Sequence, residues 1–260
     1  MKWRLGVGGS PIAHSLSPTL HEAGLRLARL EGSSARVELA HDETPRLREL
    51  MSNQFDALSI TMPLKGVAGA LCDELDDVAA RTASVNSLLV RDGRLLGAST
   101  DGDGFVGAVA GELGIDVSGG HAVILGTGGA ARAIVDALVR AGVSTVVVHG
   151  HTEANVNAIV SQYRNVFDFS LTHRPVDLLV NTVPVAARGT ETAVMQGVNA
   201  DTVTVDIAYD PFNSQWRTTY ERAGCRTMNG LAMLAYQAAL QMQWWWGVPI
   251  DAKELLGVVS

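Results

Sequence analysis

Short apolar runs alternate with longer stretches in which apolar residues recur every three or four positions, and the alternation continues through most of the chain. The short runs predict strands at 4–8, 36–40, 57–61, 122–125, 145–149, 177–181 and 202–206. Several are continuous Val, Ile and Leu runs, the pattern of strands buried on both faces of a parallel sheet. The longer stretches predict helices at 18–30, 44–51, 104–113, 130–141, 153–163 and 214–223. Strands and helices in this alternation specify an α/β fold with crossover connections.

One segment departs from the pattern. Residues 85–90 and 94–97 flank Asp92 and Gly93, a hairpin signal, because both central residues of a type I′ turn need positive φ. The glycine-rich, acidic stretch STDGDG at 99–104 then leads into a helix, and a domain boundary is expected there. The expected division is a first domain over 1–101 and a second over 102–230. The apolar, helix-like segment 230–246 follows the last strand of the second half, so 231–260 is expected to pack back on the first domain.

With 260 residues the chain has room for two domains, and 47% apolar against 18% charged residues provides a core for each. Lys plus Arg number 20 and Asp plus Glu 27, a net charge of −7. That balance argues against a nucleic-acid binder, though not against a small anionic ligand held in a locally basic site. Cys72 and Cys225 are the only cysteines, too few for a disulfide scaffold or a cysteine-rich zinc site, and both read as buried apolar residues. No run of signal-peptide length follows the N-terminal basic residues, and none approaches the roughly 18 apolar residues of a membrane span. The expectation is a soluble, cytoplasmic protein. Trp244, Trp245 and Trp246 would point in different directions on a helix, which suits core and domain-interface packing better than base stacking.

The segment HAVILGTGGAA at 121–131 joins a strand, a glycine turn and a helix start. Gly126, Gly128 and Ala131 fit the G-x-G-x-x-A form of the Rossmann fingerprint. The first glycine makes the turn, the second lets backbone approach a pyrophosphate, and the small third residue lets helix and strand pack closely. The helix N-terminus then offers free N–H groups to phosphate oxygens. After the next strand the chain reads His149, Gly150, His151, Thr152, Glu153, Ala154, Asn155. No acid ends that strand to hold an NAD ribose, and no arginine follows to clamp an NADP 2′-phosphate. Thr152 or either histidine could contact a ribose or phosphate. His149 and His151 lack a nearby third ligand, so no metal is expected.

A second set of polar residues lies in the first half. Ser15 and Ser17 precede a helix; Ser17 reads as its N-cap with Pro18 at the first helical position, which leaves Ser15 without a capping duty. Thr61 ends a strand, Lys65 sits in the following turn, Asn86 opens the hairpin and Asp101 follows it. Each has an ordinary reading alone: surface lysine, turn asparagine, capping aspartate.

Together they resemble the shikimate dehydrogenase family. The matching words are GSPIAHSLSP at 9–18, SITMPLK at 59–65, SVNS at 84–87, STDG at 99–102, GTGGA at 126–130 and GLAMLAYQ at 230–237, in the family's order and approximate spacing. The resemblance implies an α/β enzyme of two domains, an N-terminal substrate domain and a Rossmann-type dinucleotide-binding domain. Its reaction would be the NADPH-dependent reduction of 3-dehydroshikimate to shikimate, on the route to chorismate and the aromatic amino acids. Lys65 and Asp101 would be the catalytic pair. Ser15, Ser17, Thr61, Asn86, Tyr209 and Gln237 would bind the substrate. Asp77, Gly126, Thr127, Gly128, Gly129, Ala130, Gly150, His151, Thr152, Asn155, Ile207 and Gly230 would lie along NADP, and the protein would be a monomer or homodimer.

The chemistry is consistent with this set. Hydride transfer at a carbinol carbon must be matched by transfer of the hydroxyl proton, which a lysine beside an aspartate can mediate. Short hydroxyl and amide side chains suit a polyol acid.

Three departures from the family pattern stand out. The usual Asn-Arg-Thr is Gly150, His151 and Thr152 here, and a further arginine is Asn155. Both guanidinium clamps are therefore missing, which opens the way to NAD. Ser59 stands where asparagine is common, and Ala98 and Ser99 where Asp-Asn is common. Asn181, Thr182, Val183 and Pro184 vary a common Asn-Ala-Thr-Ser. Alternative readings are a paralogue acting on quinate or an aminated analogue with NAD, a folate-type dehydrogenase, and a non-catalytic shikimate-binding module. The serine pair and Gln237 speak against the second, and the presence of both Lys65 and Asp101 against the third.

Overall fold

The computed structural model describes residues 2–168, 175–187, 195–209 and 214–260. The chain divides into two compact units, one comprising residues up to Phe105 together with Leu234–Ser260, the other Val106–Met233. The divisions fall inside two helices, α4 (Asp101–Leu113) and α8 (Gly230–Trp246).

The first unit is built on a six-stranded mixed sheet. Its spatial order is β2 (Glu31–Glu38), β1 (Lys2–Gly9), β3 (Ala57–Ile60), β5 (Ser87–Arg91), β6 (Arg94–Ala98) and β4 (Glu74–Leu75), with labels in chain order. β2, β1 and β3 are parallel, and β5 runs antiparallel to both β3 and β6. Alternate residues of a strand face opposite ways, and here they feed two apolar layers. Leu58 and Leu88 join Leu47, Met51 and Leu64 in one; Ala57 and Leu89 join Leu20, Met242, Trp245 and Leu255 in the other. Helices α1 (Ser17–Leu27), α2 (Thr44–Asn53), α3 (Asp77–Thr82) and α9 (Ala252–Val259) complete the unit. Gly24 is where α1 meets α8, since a Cβ there would run into the Met242 sulfur. The hairpin turn carries positive φ at both Asp92 (52°) and Gly93 (75°), as its type demands.

Four details correct the sequence reading. β2 starts at Glu31, well before the predicted 36–40, because it is an edge strand paired only with β1 and has no continuous apolar run. α1 stops at Leu27 rather than 30: Arg29 takes φ of 56° and the Leu30 N–H turns back to the Leu25 carbonyl, a left-handed helix stop. Ser17 is the first helical residue and not the cap. Leu16 holds the cap position without a side-chain bond, and it is the Ser15 hydroxyl that accepts the Ser17 N–H, at 3.3 Å. Cys72 is only half-buried, whereas Cys225 is buried.

The second unit has an all-parallel sheet in the order β12 (Arg226–Met228), β11 (Val203–Asp206), β10 (Leu178–Asn181), β7 (His121–Leu125), β8 (Thr145–His149) and β9 (Val166–Asp168). Counted from the unit's own first strand this is 6-5-4-1-2-3, the doubly wound order of dinucleotide-binding sheets. The four inner strands are the predicted apolar runs; the two edge strands, three residues each, carry too little pattern to be foreseen. Helices α5 (Gly129–Arg140), α6 (Glu153–Val160) and α7 (Gln215–Arg222) follow β7, β8 and β11. Among the described residues no helix is long and apolar enough to cross a membrane.

Candidate functional site

In the first unit, β3 ends at Ile60 and the chain turns through Thr61 to Lys65. The turn is pinned by Leu64, fully buried, whose N–H bonds to the Thr61 carbonyl, and by the Lys65 carbonyl, which accepts the Val85 N–H at 2.8 Å. This aims Lys65 Nζ at Asp101 Oδ2, 2.7 Å away; the two side chains are 18% and 3% exposed. Asp101 opens α4. Its other oxygen receives the Asn86 amide at 3.0 Å, and the same Nδ2 lies 3.0 Å from both Thr100 Oγ1 and Gln237 Oε1. A carboxylate this buried needs charge and hydrogen-bond partners on both oxygens, and it has them. Gln237 can stand so close because Gly104 lacks a side chain: a Cβ there would sit 2.6 Å from the Gln237 backbone.

Ser15, in the loop between β1 and α1, and Ser17, the first residue of α1, are both buried. That loop leans on the Thr61 turn, with the Ser10 N–H bonded to the Met62 carbonyl at 2.9 Å and Gly9 too close to Thr61 for any side chain. Arg36 donates from Nε and one terminal nitrogen to the Ser15 carbonyl, at 3.1 and 2.6 Å. A second layer lies beneath. Gln241 bonds to the Asn86 carbonyl and to Ser59, and Ser59 bonds to His21. Burial pulls the His21 pKa down to about 3, so the ring is neutral. Sequence reasoning did not single out Arg36, His21 or Gln241. The signal for two of them was present: Gln241 is one helical turn beyond Gln237, and His21 one turn beyond Ser17.

In the second unit the glycine turn sits where the strand order reverses, between β7 and β10. Gly126 takes φ of 111°, and a Cβ on it would run into Thr182 Oγ1, just past β10. Gly128 caps α5, with Gly129 and Ala130 as the first helical residues, and no side chain caps the helix. A Cβ at Gly128 would meet nothing within 4 Å, so backbone is approachable there. Gly150 abuts Thr127, whose methyl would lie 2.6 Å from an added Cβ. His151, Thr152 and Asn155 are exposed at the start of α6, with Thr152 as its N-cap making no side-chain cap bond. Ile207 and Gly230 meet past β11, where a Cβ on Gly230 would run into the Ile207 carbonyl.

Two of the sequence-derived residues lie in a different unit from the rest of their groups. Tyr209, half-buried after β11, belongs to the second unit, whereas the other proposed substrate residues belong to the first. Asp77, exposed at the start of α3, belongs to the first, whereas the other proposed cofactor residues belong to the second. The glycine turn and bare helix end suit a pyrophosphate. The 149–155 loop offers a 2′-phosphate no guanidinium and carries exposed Glu153. Among the described residues no group of three or more His, Cys, Asp or Glu could hold a metal ion.

Fold and site together define an α/β protein with one dinucleotide-binding-type unit and one unit carrying a partly buried amine paired with a buried carboxylate. A family model described as the shikimate dehydrogenase substrate binding domain matches residues 7–88. A shikimate dehydrogenase (NADP(+)) of Exiguobacterium sp. is 34% identical over 252 residues, covering 95% of this chain and 94% of that protein. Another, of Roseobacter denitrificans, is 34% identical over 261 residues, covering 96% and 94%. The crystal structure of shikimate 5-dehydrogenase from Thermus thermophilus in complex with NADP(H) and shikimate matches with a TM-score of 0.87 at 32% identity, covering 98% of both chains. The chain belongs to the shikimate dehydrogenase family.

Proposed function

We propose that this protein is a shikimate dehydrogenase that interconverts 3-dehydroshikimate and shikimate with NADP, in the cytoplasm, within the formation of chorismate and the aromatic amino acids. The observation that carries the reading is the 2.7 Å contact of Lys65 Nζ with Asp101 Oδ2, inside the segment set that the family's substrate-domain words define. A bound nicotinamide supplies or accepts the hydride. The chain's part is the proton. Lys65 Nζ gives one to the carbonyl oxygen as it becomes a hydroxyl, and takes it back in the oxidation, while Asp101 keeps the amine oriented and balances its charge. Asn86 and Gln237, which hold Asp101 and each other, would stand beside the substrate hydroxyls; Ser15, Ser17 and Thr61 add hydroxyl groups suited to the carboxylate and ring hydroxyls. A site built of such donors rejects analogues that lack the matching hydroxyl.

Gly126, Thr127, Gly128, Gly129 and Ala130 would hold the dinucleotide pyrophosphate, and Gly150, His151, Thr152 and Asn155 its adenosine ribose. Without an arginine in that loop, NAD is accepted beside NADP, with a smaller preference for NADP than arginine-bearing members of the family have. Initial rates with shikimate and with quinate, each against NADP and NAD at fixed pH, test both parts. The expected result is turnover of shikimate with both cofactors. Turnover of quinate alone would overturn the substrate, binding of shikimate without hydride transfer would overturn the activity, and a strong NADP preference would overturn the loop argument.

A further inference from the structure

Beneath Asp101, side chains from four elements form a chain of hydrogen bonds whose direction their chemistry dictates. Gln241 Nε2 donates to the Asn86 carbonyl at 2.8 Å, which leaves Oε1 as an acceptor. Ser59 fills it, donating its only hydroxyl proton at 2.7 Å. The 2.9 Å contact between Ser59 Oγ and His21 Nε2 must then be an imidazole N–H given to the hydroxyl oxygen. A neutral imidazole has one proton, so Nδ1 is the acceptor, and Ser34 donates to it at 2.8 Å. Donation therefore runs one way, from Ser34 on β2 through His21 on α1 and Ser59 on β3 to Gln241 on α8, ending on Asn86. His21, Ser59, Gln241 and Asn86 are all more than nine-tenths buried. Trp245, one turn beyond Gln241, sets its ring edgewise to His21 at 5.2 Å and gives its Nε1–H to Ser87, the neighbour of Asn86.

We propose that His21 is a positioning residue for the Lys65–Asp101 chemistry, acting through Ser59 and Gln241 to fix the Asn86 peptide whose side chain holds Asp101. The Asn86 carbonyl takes two donors, Gln241 and the Ile60 N–H, and its own N–H goes to Ala98. With these in place the residue cannot pivot, and its amide stays aimed at Asp101 and Gln237. Replacing His21 by an apolar ring strips Ser59 of its donor and frees the hydroxyl to turn, which loosens Gln241 and then Asn86. Energetic coupling along such a network shows as non-additivity between its members. The inference rests on the reading of the site given above, and its test separates the two.

The variants are His21→Phe, His21→Gln, Gln241→Leu and the His21→Phe/Gln241→Leu pair. The readouts are kcat and KM for shikimate, the side-chain amide resonances of Asn86, and the ring nitrogen resonances of His21 in the unaltered protein. His21 is expected as the neutral Nε2–H tautomer from pH 5 to 9. Both His21→Phe and Gln241→Leu should shift the Asn86 amide and lower kcat on the order of tenfold, with KM within about threefold. The double variant should lose no more than the worse single one, and His21→Gln, which keeps a donor, should return kcat to within about threefold of normal. An Nδ1–H tautomer, an undisturbed Asn86 amide or additive losses would overturn the proposal. Should His21→Phe fail to fold, Gln241→Leu and the tautomer decide. If the unaltered protein fails to turn over shikimate, the function falls, while tautomer and Asn86 resonances still judge the positioning role.

Discussion

The two units solve recognition in opposite ways. The first builds its site from side chains that already satisfy one another, Lys65 on Asp101, Asp101 on Asn86 and Asn86 on Gln237, with Gln241 on the Asn86 carbonyl. The second builds its site from backbone, a half-buried glycine turn with positive φ at Gly126 that opens to solvent at Gly128, and a helix start with no side-chain cap. Buried polar groups must be paired, so the first site is rigid before any ligand arrives. Such a turn leaves its donors to the ligand, and selectivity passes to the few side chains around it. A substitution in the first unit should therefore damage chemistry and geometry together, whereas one in the second should change which dinucleotide binds and how tightly.

The largest expected effect is at Lys65. Lys65→Ala removes the proposed proton carrier and leaves buried Asp101, among the described residues, with the Asn86 amide as its side-chain partner. Turnover should fall by about 10²–10⁴-fold, measured as kcat alongside circular dichroism to confirm folding; a rate within a few-fold of normal would take Lys65 out of the reaction. Next comes Gly126. A side chain there is strained at φ of 111° and collides with Thr182 Oγ1. Strain of roughly 1–3 kcal/mol should weaken dinucleotide binding by about five- to 150-fold in calorimetry, with shikimate binding unchanged. Equal losses for both ligands would break the contrast between the units.

Acid should expose the cost of the first unit's rigidity. In the unfolded chain His21 titrates near its ordinary 6.5, and in the folded protein burial lowers this to about 3. Above 6.5 the ring is neutral in both states and contributes no pH dependence. Between 6.5 and 3 the unfolded chain binds a proton that the folded one refuses, so stability falls by about 1.4 kcal/mol for each unit of pH lost. Among the described residues the hydrogen-bond and ring partners of His21 are Ser34, Ser59 and Trp245, none of them charged. Subtracting the stability–pH curve of His21→Phe from that of the unaltered protein cancels the carboxylates common to both. The difference should slope over this window and flatten above it; a flat difference throughout would mean the folded ring accepts a proton.

Much of this was legible beforehand, and the exceptions have physical causes. The inner strands of the second unit are apolar on both faces and could be read directly, as could the Asp92–Gly93 turn and the glycine fingerprint. β2 could not, because an edge strand half in water carries no apolar run. The pairing of Lys65 with Asp101, 36 positions apart, emerges from motif words rather than from periodicity. His21 and Gln241 stayed hidden because a buried polar residue on an apolar helix face has no pattern of its own; only the partners it meets in the fold, 38 and 182 positions apart along the chain, reveal its part. Ser17 reads as the cap because it precedes Pro18, yet the helix begins at Ser17 itself and the Ser15 hydroxyl accepts its N–H.

The smallest expected effect lies in the 149–155 loop, and it sharpens the contrast most directly. His151 is exposed at the entry to α6, next to Thr152 as the cap and Glu153 as the first helical residue. An arginine there would give a 2′-phosphate a planar pair of donors, while an NAD ribose would gain nothing from its charge. Because the position is open to water, the gain is that of an exposed ion pair, about 1 kcal/mol, or roughly fivefold in the ratio of kcat/KM for NADP over NAD. His151→Arg should raise that ratio through KM for NADP and leave kcat and the shikimate KM alone, since the loop belongs to the second unit and the Lys65–Asp101 pair to the first. Added salt should shrink the gain, as it screens exposed charges. A change in kcat or in the shikimate KM would show that the loop and the proton-transfer site are not independent, and an unchanged ratio would mean that the 2′-phosphate is read elsewhere than in this loop.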